Sequence, residues 1–109
     1  MPFSQGEIVE FDFGPSLGSE PAMRRPALVV SSDRFNMTTS MTLVCPITSV
    51  DNGFPLHIKL PEGLDTHGFV AAEQVRAFDL VARKATHIES LDPESTFMLN
   101  VKTLIKSFL

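Results

Sequence analysis

The sequence predicts a mainly β domain with one helix: a small, strongly curved antiparallel sheet or open barrel, with a C-terminal helix packed against it. Three observations carry this. Short alternating or apolar runs recur between Gly- and Pro-rich turns from residue 6 to residue 89. One amphipathic run with helix-start chemistry follows them. The 109 residues, 43% hydrophobic and 20% charged, suit a single globular domain over 1–109.

In residues 6–13, Val9, Phe11 and Phe13 alternate with Glu10 and Asp12, the two-residue period of a half-buried strand. Residues 14–21 hold too much Gly and Pro for a regular element and are long for a hairpin in so small a domain, which marks a functional loop. Residues 26–32 are nearly continuously apolar and read as a central strand. Residues 32–36 suit a short helical turn or a loop. A third strand spans 41–48, with Pro46 expected to make its far end an edge or a bulge. After the turn signal Asp51-Asn52-Gly53, residues 55–60 alternate as a fourth strand. Phe69 to Ala72 begin a fifth, with Glu73, Gln74 and Arg76 on or beyond its end. Residues 79–84 suit a single helical turn and 86–89 a return to strand. In the final run Asp92 is the expected N-cap, Pro93 the first helical residue and Glu94 a first-turn anion. Phe97, Val101, Leu104, Ile105 and Phe108 then form one apolar stripe.

No apolar run approaches the ~20 residues of a membrane span, and residues 1–7 lack the basic and apolar regions of a signal peptide. A soluble, cytoplasmic protein is expected. The net charge of −4 argues against broad, nonspecific nucleic-acid binding but leaves room for a small basic site. With no Trp or Tyr, Phe is the one aromatic able to stack on a base. The lone cysteine, Cys45, lies in an apolar run and reads as a core residue rather than a nucleophile.

Metal chemistry has weak support, because His57, His67 and His87 are scattered without paired spacing and read as surface or loop histidines. No metal or other cofactor is expected. There is no Gly-rich phosphate loop and no Gly-x-Ser-x-Gly elbow. What remains is a set of polar groups at strand ends: Ser19 and Glu20, Arg24 and Arg25, Thr48 and Ser49, and Glu73, Gln74 and Arg76. Pro26 disfavours the α conformation at Arg25, which puts an extended cation between a loop and an apolar strand. A guanidinium can hold a phosphate through two donors, a hydroxyl can add a third, and a carboxylate can take a proton from a sugar hydroxyl.

Four segments resemble the MazF/PemK (Kid) toxins of bacterial toxin–antitoxin systems, in order and across nearly the full length. They are Gly6-Glu7-Ile8-Val9 with Phe11-Asp12-Phe13-Gly14-Pro15; Gly18-Ser19-Glu20 followed by Arg25-Pro26-Ala27-Leu28-Val29-Val30-Ser31; Cys45-Pro46-Ile47-Thr48-Ser49; and Gly68-Phe69-Val70 with Glu73-Gln74-Val75-Arg76 and Asp79. The resemblance implies an SH3-like barrel with a C-terminal helix, working as a homodimer. It implies metal-independent, sequence-selective cleavage of single-stranded RNA to 2′,3′-cyclic phosphate and 5′-hydroxyl ends. It also implies a MazE-like antitoxin partner whose acidic tail covers the RNA site.

Carried over by motif, Arg25 and Thr48 are the implied catalytic residues. Arg25 would stabilise the transition-state charge and Thr48 would hydrogen-bond the scissile phosphate. Glu73 matches the proposed base of some members, but the arginine that partners it two residues earlier is here Ala71. Ser19, Glu20, Arg24, Ser49, Leu56, Gln74 and Arg76 are the implied RNA contacts, with the loop at 14–23 as a lid. Two other functions stay open: a CcdB-like toxin that binds gyrase on the same fold, and a non-catalytic interaction module.

Overall fold

The computed structural model describes residues 3–14, 24–51 and 53–109. Among these the chain forms strands β1 (Glu7–Asp12) and β2 (Arg24–Val29), helix α1 (Asp33–Thr39), and strand β3 (Thr42–Thr48). Strands β4 (His57–Lys59) and β5 (Phe69–Ala71) follow, then a 3₁₀ turn (Ala72–Gln74), β6 (Arg76–Phe78), β7 (Thr86–Ser90) and helix α2 (Thr96–Lys106). All described strand pairs are antiparallel, in the order β4-β5-β3-β2-β1-β7, with β6 also on β3. This is the open, barrel-like sheet with a C-terminal helix that the sequence predicts. No described helix is long and apolar enough to cross a membrane.

Strand alternation divides the core in two. Ile8, Leu28, Cys45, Ile47 and Val70 cluster with Met98 and Val101 of α2. Their strand neighbours Val9, Phe11, Ala27, Val29 and Val44 join Phe78 and Leu80 in a second cluster. The sheet is thus apolar on both faces, which explains why residues 26–32 read as an unbroken run.

β3 organises the sheet, and Pro46 does not make its end an edge. β3 pairs β2 through Ala27↔Pro46, Leu28↔Cys45 and Val29↔Val44. On its other side it changes partner: residues 42–44 pair β6, whereas Ile47 and Thr48 pair β5. Val30 N donates to Leu43 O at 2.9 Å, so odd-numbered residues of β3 present their backbone groups to β2 and even-numbered ones to the other side. The donor that proline lacks therefore falls in the gap between β6 and β5, where the 3₁₀ turn crosses and no ladder bond is needed.

Four other local expectations change. Residues 33–39 form a complete short helix, capped by Ser32, whose Oγ accepts from Phe35 N, and ended by Ser40 at φ 60°. Arg76–Phe78 is a separate sixth strand. Residues 79–84 form a turn rather than a helix, with Asp79 Oδ1 accepting from Ala82 N and Lys84 at φ 56°. The N-cap of α2 is Ser95 instead of Asp92: Ser95 Oγ accepts from Met98 N at 3.2 Å, while Asp92 Oδ1 accepts from Glu94 N in the preceding turn. That shift makes Met98, with Val101, the fully buried pair of the stripe and leaves Phe108 41% exposed.

Ser95→Ala should therefore lower stability by about 1 kcal/mol. Asp92→Ala, which leaves the helix cap intact, should cost less. Urea unfolding of both variants checks the order.

Candidate active site

The sequence of β2 sends its two arginines to opposite sides of the sheet. Arg24 turns to the β1–β7 side: its Nη2 donates to Glu10 O at 2.6 Å, Lys84 O at 3.2 Å and Thr86 Oγ1 at 3.0 Å. Its Nε lies 3.6 Å from Glu10 Oε1. These contacts make Arg24, one of the implied RNA contacts, a tie between strands. Arg25 pairs with Phe11 in register and is exposed. Among the described residues nothing engages its guanidinium.

The β2–β3 register, continued two residues beyond Ala27↔Pro46, sets Arg25 opposite Thr48. Thr48 in turn pairs Phe69, and Phe69 pairs Lys59. Directly opposed residues of antiparallel strands share a face. A row of side chains therefore crosses five strands on one face: Lys59, Phe69, Thr48, Arg25 and Phe11. At about 4.8 Å per strand its two cations stand roughly 14 Å apart, with the Thr48 hydroxyl between them. Thr48 Oγ1 accepts from Val50 N at 3.2 Å, which holds the oxygen in place and leaves its own O–H to donate.

Arg76 shares this face through its pairing with Val44, but lies four residues along β3, about 13 Å from Thr48. Its guanidinium stacks 4.7 Å over the Phe78 ring, which Arg83 also covers at 4.8 Å. Phe78 closes an aromatic group with Phe11 and Phe13, whose rings stack at 4.4 Å. Ser49 and Gln74 are exposed, and half-buried Leu56 accepts from Ala72 N through its carbonyl. Ser19 and Glu20, with most of the expected lid, lie outside the described residues.

Glu73 sits in the 3₁₀ turn beside β3, and His57 meets it there. His57 is not a surface histidine. Its side chain is 10% exposed, and its Nε2 is 3.0 Å from Glu73 Oε2. Burial alone would raise the Glu73 carboxyl, but hydrogen bonds from His57, its own backbone and Gln74, together with the His57 charge, hold it below the usual range. Cys45 is buried beneath this pair. Burial first, and the Glu73 charge second, push its thiol up to about 12. His57 and Lys59 were missed in the sequence although their signal was there: alternation in residues 55–60 puts both on one face.

Among the described residues, no group of three or more His, Cys, Asp and Glu could hold a metal ion. The arrangement offers two cations unpaired among the described residues, a fixed hydroxyl donor and an ionised carboxylate with a histidine behind it. This is equipment for binding a phosphodiester and moving a proton beside it.

Residues 4–109 match the family model of the PemK-like, MazF-like toxins of type II toxin–antitoxin systems. The chain belongs to this family. It is 35% identical over 97 residues to the endoribonuclease toxin MazF of Escherichia coli K12, spanning 89% of this chain and 86% of that protein. It is 45% identical over 92 residues to the endoribonuclease toxin ChpB of the same strain, spanning 79% and 78%. Among solved structures, MazF in a MazE–MazF crystal from Deinococcus radiodurans superposes with a TM-score of 0.87 at 30% identity, over 99% of this chain and 96% of that one.

In this PemK/MazF sheet, Gly68 controls how closely β5 approaches Thr48. It has φ +133°, and a Cβ added there would stand 2.4 Å from the carbonyl oxygen of Thr48. Gly68→Ala should destabilise the fold by about 2–3 kcal/mol through combined strain and overlap. It should also shift the Thr48 amide resonance. An unchanged Thr48 environment with full stability would contradict the packing described here.

Proposed function

We propose that this chain is the toxin of a type II toxin–antitoxin pair, a cytoplasmic endoribonuclease that cuts single-stranded RNA without a metal ion. The observation that carries the reading is the Arg25 guanidinium, unengaged among the described residues and opposite Thr48 by register, on a face that also bears Lys59. The endoribonuclease names of the relatives support it. They favour it over gyrase binding or an inert module.

In this mechanism the scissile phosphate lies over Arg25 and Thr48. The ribose 2′-hydroxyl attacks phosphorus and gives its proton to the Glu73 carboxylate. The O2′–P bond forms as the P–O5′ bond breaks. The departing 5′-oxygen takes a proton from solvent, which recovers one from Glu73, so the products are a 2′,3′-cyclic phosphate and a 5′-hydroxyl. Arg25 stabilises the added negative charge, and Thr48, its oxygen held by Val50 N, supplies a neutral donor beside it. Lys59 holds a flanking phosphate. Ser49, Leu56 and Gln74 serve as further RNA contacts, Arg76 meets the strand further along the same face, and Ser19 and Glu20 add to them.

The partner we infer is an antitoxin whose acidic tail would compete with RNA for Arg25 and Lys59, in keeping with the MazE–MazF assembly named for a structural neighbour. A homodimer is the inferred working form.

Arg25→Ala should slow RNA cleavage by about 10²–10³-fold with the fold intact. Thr48→Ala should cost less, since a neutral hydrogen bond is weaker than a charge-assisted one. The deciding substrate is an oligonucleotide with one 2′-deoxy sugar on the 5′ side of the scissile bond. It should resist cleavage, and cutting at the all-ribose rate would refute attack by the 2′-hydroxyl.

A further inference from the structure

His57 stands directly across from Ala71 in the β4–β5 ladder. It reaches past that methyl-sized side chain to the carboxylate of Glu73. One Nε2···Oε2 contact joins them, and the other polar atom of each, His57 Nδ1 and Glu73 Oε1, is buried with no hydrogen-bond partner. Such a pair is a poor structural device. Taking such a pair out of water costs hydration, and although Glu73 Oε2 also accepts from Gln74 Nε2, one polar atom on each side stays unmet. Two buried, orphaned atoms on one acid–base pair, whose side chains are 10% and 27% exposed, indicate a group retained for proton chemistry.

The position agrees. The β3–β5 register, continued one residue beyond Ile47↔Val70, brings Ala71 opposite Pro46. The His57 row therefore lies one pleat repeat, about 7 Å, from the row of Thr48 and Arg25 on the same face.

We propose that His57 is the positioning residue of the cleavage reaction, orienting the Glu73 carboxylate and keeping it ionised so that it can take the 2′-hydroxyl proton. The proposal rests on the ribonuclease reading and adds to it the group that makes Glu73 a competent base in a chain with Ala71 beside it. His57 supplies from the opposite strand the carboxylate partner that β5 does not carry. The charged and titratable groups around Glu73 are few among the described residues. From β4 there are His57 and Lys59, and from β3 the Cys45 thiol, protonated at neutral pH. Arg76 of β6 lies over the Phe78 ring. From α2, Lys102 is turned to Gln5 Oε1 and Pro93 O, and Lys106 lies near Val75.

The sign of the pH effect follows. The base works only when deprotonated, so the rate falls as pH drops through the Glu73 pKa. Without the imidazole, desolvation is less opposed and that acidic limb moves to higher pH.

The test is single-turnover cleavage of a labelled RNA from pH 4 to 9 by wild type, His57→Phe and His57→Gln. His57→Phe should move the acidic limb up by about one pH unit, so that the rate falls most at the acid end of the range and least near neutrality, with KM nearly unchanged. His57→Gln, which keeps an N–H donor without the charge, should fall between. An unmoved limb in a folded His57→Phe protein would overturn the proposal while leaving the Arg25–Thr48 reading standing. A direct measurement is carbon NMR of the Glu73 carboxyl in full-length Arg25→Ala protein, with and without His57→Gln. Its midpoint should rise when His57 is replaced, and an unchanged midpoint refutes the coupling even if His57→Phe does not fold. A wild-type protein that cuts no RNA would instead refute the underlying function.

Discussion

The missing N–H of Pro46 is the constraint on which the rest of this structure depends. A central strand needs partners on both sides, and one of its residues has no donor to give. The sheet answers by changing partners there, with β6 on residues 42–44 and β5 on Ile47 and Thr48. The chain between those partners must cross the gap, and it does so as the 3₁₀ turn that carries Glu73. One imino acid in β3 thus requires a break in the ladder, the break admits a polar turn into a buried sheet, and the turn brings a carboxylate to the candidate site.

The same strand arrangement divides labour between adjacent arginines. Side chains in a strand alternate, so Arg24 and Arg25 cannot serve one purpose. Arg24 is consumed by two carbonyls, a hydroxyl and a carboxylate at the β1–β7 side. That fixes the strand end from which Arg25 projects. A residue that touches no phosphate can still decide how well one is held, because a preorganised donor is worth more than a mobile one.

Much of this was legible in the sequence, and the failures share a physical cause. Period-two alternation and apolar runs gave strands β1 to β5 because burial acts on local pattern. The terminal helix was legible too, but its cap was not: Asp92 and Ser95 are both good caps, and only the turn from Asp92 to Ser95 decides between them. The Pro46 expectation failed because a missing donor matters only relative to neighbours, which a sequence does not display. Within the site, Arg25, Thr48 and Glu73 came from motifs. His57 and Lys59 came only from register, since isolated histidines and lysines look alike until strands are paired. His57 passed as a surface residue because its partner lies sixteen positions away.

The burial of Cys45 has a consequence for how this protein meets oxidative chemistry. With burial pushing its thiol up to about 12, the thiolate that reacts with peroxides, disulfides and alkylating agents is scarce at neutral pH. The chain's single sulfhydryl is thereby hidden as well as protonated, and no second cysteine is present to trap it as a disulfide. The molecule is redox-silent at its centre. Any reactive cysteine introduced on its surface would be the one that labels.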